Sequence, residues 1–90
     1  MSKEEIEKGK QWVVKRLIEV ANKSNILLKS KDCKWNYEPV QSNNYLLVVE
    51  YGEKRCKEKF IEENLEDCIG DKDIKAKLGK QIDRIVKSLK

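Results

Sequence analysis

The chain has no histidine. That removes the side chain most used as a general base near neutral pH and as a metal ligand, and it excludes Ser-His and Cys-His nucleophile pairs. Its glycines, Gly9, Gly52, Gly70 and Gly79, stand apart, so there is no Gly-rich phosphate loop. The three cysteines, Cys33, Cys56 and Cys68, are odd in number and lack C-x-x-C spacing. They read as reduced, small buried hydrophobes in a cytoplasmic protein. No apolar run approaches the roughly 20 residues that cross a bilayer, and the charged start MSKEEIEKGK is unlike a secretory signal. Asp71-Lys72-Asp73 opens like a calcium loop, but Lys75, Ala76 and Ile82 stand where an acceptor, the turn glycine and a bidentate Glu belong. The expectation is a protein without catalytic activity, metal, cofactor or small-molecule substrate.

What is abundant is charge. Charged residues make up 40% of the chain and hydrophobic residues 39%, with a net charge of +4. The apolar residues recur with regular periods, which predicts a folded chain, and the length of 90 residues predicts one domain over 1–90.

The organising stretch is 45–60. YLLVVEY and KRCKEKF flank Gly52-Glu53, the pattern of a hairpin closed by a two-residue II′ turn. That turn sets Tyr51 opposite Lys54, Val49 opposite Cys56, Leu47 opposite Glu58 and Tyr45 opposite Phe60 on one face. The other face pairs Glu50 with Arg55, Val48 with Lys57 and Leu46 with Lys59. Cys33, Trp35 and Tyr37 alternate with polar residues, predicting a first strand over 32–38 that Pro39 ends.

Helical periods bracket this meander. Ile6, Gly9, Val13, Val14, Leu17, Val20 and Ala21 share one arc, predicting a helix over 3–23 that begins with a Ser2/Glu5 capping box and ends at 22–25. Gly9 is expected to admit the sheet closely. Ile26-Leu27-Leu28 fits either a short strand or an apolar link. Ile61, Leu65, Cys68 and Ile69 predict a short helix stopped by Gly70, with Glu62, Glu63, Glu66 and Asp67 as its solvated face. Asp71 then caps a helix over 72–89, with Ile74, Leu78, Ile82, Ile85, Val86 and Leu89 inward and Lys77, Lys80, Arg84 and Lys87 outward. The fold class is α+β in two layers, α-β-β-β-α(short)-α, with both long helices on one face of a three-stranded antiparallel meander.

Two residue sets stand out as binding candidates. Trp12 lies off the apolar arc of its helix, with Arg16 one turn on, where it is placed to stack. Together with Leu46 and Val48, expected on the exposed sheet face, these residues suit a protein interface. Lys34, Arg55, Lys57 and Lys59 would form a cationic row on that same face, suited to a phosphate backbone. The strand aromatics Trp35, Tyr37, Tyr45 and Tyr51 are expected to face the helices instead, away from any nucleic acid. The element order is similar to that of the double-stranded-RNA-binding domain. The stretch Ile69-Gly70-Asp71-Lys72-Asp73 is acidic where that family carries a Gly-rich turn and a Lys-Lys cluster, so no residue role transfers. The expected activity is protein binding, including self-association; nucleic-acid binding is the alternative.

Overall fold

The computed structural model describes residues 3–38 and 44–90. Helix α1 (Lys3–Lys23) buries Ile6, Gly9, Val13, Leu17 and Ala21, a single stripe repeating every three or four residues. Gly9 does sit at a close approach, but its neighbour is not the sheet. A Cβ there would lie 1.9 Å from the carbonyl oxygen of Leu65 in α2 (Glu62–Asp67). The helix ends in a Schellman motif. Asn25 takes a left-handed φ of 65°, its N–H donates to Asn22 O (3.0 Å), and the Ile26 N–H donates to Ala21 O (2.9 Å). Ile26 and Leu28 then point into the core while Leu27 is 71% exposed. The segment is an apolar link and not a strand.

Strands β1 (Cys33–Glu38), β2 (Asn44–Tyr51) and β3 (Lys54–Ile61) form an antiparallel sheet in chain order. The β2–β3 register is the one the turn chemistry predicts, from Tyr51–Lys54 through Tyr45–Phe60. Gly52 has φ +62° and Glu53 does not share a positive φ, as a II′ turn requires and a I′ turn does not. Alternation sends Leu47, Val49 and Phe60 inward, where they meet Val13, Leu17, Leu78, Ile82 and Ile85. Trp35, Tyr45, Tyr51, Cys33 and Cys56 border this core. The cap at Ser2, the Tyr37 side chain and the stop at Pro39 lie outside the described residues.

After β3 the chain departs from its apolar spacing. Phe60 points inward, so Ile61, the next residue, points out and is 54% exposed. Helix α2 is only six residues long and continues as a 3₁₀ turn over Cys68–Gly70. Leu65 and Cys68, three apart, form its inner edge, whereas Ile69 is 45% exposed. Gly70 does not adopt the left-handed conformation expected of a helix stop. Glu62, three residues before Leu65, turns inward with it and is only 9% exposed, and its Oε2 has no hydrogen-bond partner. It is therefore not part of a solvated acidic face.

Asp71 caps α3 (Lys72–Leu89). Its Oδ1 accepts from the N–H groups of Asp73 (2.9 Å) and Ile74 (3.2 Å). Helix α3 lies along β3, and two side chains bind it there. Gln81 Nε2 donates to Lys59 O (2.6 Å) and Arg84 donates to Glu58 Oε2 (2.9 Å). Arg84 is thus tied to the sheet, while Lys77, Lys80 and Lys87 are exposed. Among the described residues no helix is long and apolar enough to cross a membrane.

Candidate functional site

Trp12 leaves α1 beside α3. A groove of about 640 Å³ opens between these helices, lined on α1 by Trp12, Lys15, Arg16 and Glu19. The α3 wall is Lys72, Lys75, Ala76 and Gly79. Both walls repeat at i, i+3, i+4 and i+7, so each contributes one face of two helical turns, about 10 Å long at 1.5 Å per residue. The cation over Trp12 is not Arg16, as its position one turn on suggests. Lys75 Nζ lies 5.9 Å from the indole centroid, whereas Arg16 Nη1 pairs with Glu19 Oε2 at 3.3 Å. Arg16 is drawn to a carboxylate on its own helix, and α3 supplies the cation instead. Four cations and one carboxylate line the groove, so it is electropositive. Part of the indole packs against the core and part remains open to the groove.

The other expected interface residues lie elsewhere. Leu46 and Val48 point away from the helices, on the outer sheet face, and the structure does not bring them to Trp12 and Arg16. Val48 is not exposed as expected. It is 5% exposed, set in register between Lys34 and Lys57. Long lysine stems can cover an aliphatic neighbour while their ammonium groups reach water, which closes the centre of that face. Leu46, between Asn36 and Lys59, is half-buried.

The cationic row does assemble. Lys34, Arg55, Lys57 and Lys59 share the outer face, because β1 pairs beside β2 and β3 lies on its other side. Arg55 is partly neutralised by Glu50 at 3.5 Å. Lys34, Lys57 and Lys59 are exposed, and none forms an ion pair among the described residues. Trp35 and Tyr45 are on the opposite face, stacked edge-on with ring centroids 6.4 Å apart, and Phe60 lies 5.4 Å from Trp35.

Lys10 joins the aromatic end of the sheet. Its Nζ lies 4.8 Å from the Tyr45 ring and 5.8 Å from Trp35, and it pairs with Glu7 at 3.0 Å. The signal was its place in the i, i+4 row Ile6, Lys10, Val14, Ile18, which faces the aromatic end of the sheet. Nothing local in the sequence groups Lys15, Lys72 and Lys75, because their common groove depends on how α1 meets α3. The thiols fit a structural role. Cys68 is buried and donates to Leu65 O at 3.4 Å. Burial, with the Asp32 carboxylate beside it, pushes the Cys33 thiol from 9.0 up to about 11. Comparison with protein-family models, with curated proteins and with solved structures finds no match for this chain.

Proposed function

We propose that this domain acts by binding another protein through the groove between α1 and α3. The observation that carries the reading is Trp12, a large aromatic side chain open to a groove between two helices and ringed by cations. Tryptophan and arginine at the centre of a concave, partly desolvated patch are the residues that dominate measured interface energies. The open, mixed-polarity walls suit a polypeptide better than a small molecule, which is usually enclosed by apolar surface. Site-specific photocrosslinking in extract of the producing cells tests this, with benzoylphenylalanine at position 16 and, as a control, at the exposed Asp83 of α3. A discrete adduct from position 16 that is absent from position 83 is expected. Identical patterns, or no adduct at 16, would remove the groove from consideration.

A second reading is supported by the outer sheet face, where Lys34, Arg55, Lys57 and Lys59 stand together. If that face tracks a single-stranded nucleic acid with four phosphate contacts, log K should fall against log salt with a slope of about −3. A labelled oligonucleotide titrated at two salt concentrations measures it. No binding at low salt excludes this reading.

A further inference from the structure

We infer that the α1 face bearing this groove is self-complementary, and that the protein docked on it is a second copy of this chain related by a two-fold axis. The inference rests on the protein-binding reading above and names its partner. Glu5, Lys8, Trp12, Lys15 and Glu19 follow one another at helical spacing, so they form a single line along α1. At the start of that line, Glu5 and Lys8 share a hollow with Glu66, Asp67, Ile69 and Gly70. Further along, Lys15 and Arg16 share the groove with Lys72 and Lys75. The acidic hollow and the basic groove therefore lie end to end on one face. They flank the same side of α1, because the chain passes directly from Gly70 through Asp71 into Lys72.

An isologous interface needs such a patch, one whose two ends complement each other. A two-fold axis lying in this face and crossing α1 near residue 10 exchanges the ends. Glu5 and Lys15 are each five residues from that point, and Lys8 and Trp12 each two. The operation sets Glu5 of one copy against Lys15 of the other and the Lys8 ammonium against the Trp12 ring. On the flank it sets Glu66 and Asp67 against Lys72 and Lys75. An axis parallel to α1 would oppose like charges, so the charge pattern selects the antiparallel arrangement.

The flank is also low where a neighbour would approach. A Cβ added to Gly70 or Gly79 meets nothing within 4 Å, so the fold itself does not call for glycine there. Gly79 sits in the interior of α3, where glycine costs about 1 kcal/mol relative to alanine. Close approach by another chain accounts for that choice, and docking would cover Ile69, now 45% exposed. A standard interface takes about 800 Å² from each partner, roughly an eighth of this chain's 6024 Å².

Sedimentation equilibrium on the purified chain tests the pairing. The wild type is expected to dimerise in the micromolar range. Two charge-reversed variants, Lys72→Glu/Lys75→Glu and Glu66→Lys/Asp67→Lys, should each dimerise at least about tenfold more weakly, since each opposes like charges in its own homodimer. An equimolar mixture of the two should regain the dimer, because every reversed group then meets its opposite. Gly79→Gln, which places bulk in the groove at a position open to solvent, should weaken the dimer while circular dichroism stays native. The pairing is overturned by a wild type that stays monomeric to about 1 mM, by a dimer indifferent to these changes, or by a mixture that stays monomeric. A monomeric chain that still yields a position-16 adduct with a different protein overturns the pairing alone and leaves the protein-binding reading standing.

Discussion

Gly9 and Gly79 are both helical glycines in opposite surroundings. At Gly9 an added methyl would overlap the Leu65 carbonyl, so Gly9→Ala must push α1 and α2 apart. We expect it to destabilise the fold by about 1–3 kcal/mol, read as a lower urea midpoint at unchanged slope. At Gly79 the methyl enters open space within one copy, and Gly79→Ala should stabilise the monomer by about 0.5–1 kcal/mol in the same assay at protein concentrations too low for pairing. Cys33 supplies a pH prediction. Its folded-state thiol, held up to about 11 against 9.0, keeps its proton more tightly than in the unfolded chain. Below about 9 both states are protonated and stability is unaffected; as pH rises from 9 toward 11 the folded state loses ground. Iodoacetamide should accordingly alkylate Cys33 in a Cys56→Ser/Cys68→Ala background at a rate that rises through pH 11, whereas a rise through pH 9 would contradict the burial seen here.

At the scale of elements, the local rules were legible where the signal is itself local. Gly52-Glu53 with flanking alternation specified the hairpin register, and Asp71 specified where α3 begins, because a turn and a cap each involve only a few consecutive residues. Asp71→Ala removes the acceptor for two N–H groups and should cost about 1 kcal/mol in thermal or urea unfolding. What the sequence concealed is which element meets which. Gly9 marks a close contact without saying whether the sheet or α2 makes it. Trp12 calls for a cation, yet nothing local distinguishes Arg16 from the more distant Lys75. Val48 has the alternation of an exposed residue, and its burial depends on lysines from two neighbouring strands. Glu62 follows a strand and opens a short helix, so its direction is set by the join and not by either period. The fold was therefore readable, whereas the candidate groove, built from two helices 60 residues apart in the chain, was not.

For the whole molecule, one core joins every layer. Residues from α1, the 26–28 link, β2, β3, α2 and α3 share a single buried cluster. Urea unfolding should therefore give superimposable transitions by far-ultraviolet circular dichroism and by tryptophan fluorescence, since Trp12 and Trp35 report from opposite sides of α1. Separated midpoints would mean that α1 detaches before the sheet melts.

The Gln81 amide on Lys59 O has a further consequence. An unguarded ribbon margin invites further ribbons, each presenting a fresh margin to the next. Here a helix side chain already occupies one acceptor on the β3 side, while β1 forms the opposite margin of the sheet. Strand addition on the β3 side would first have to displace that amide. The two margins of the ribbon therefore differ in how readily they take a guest, which disfavours the repeated two-sided addition that builds a fibre.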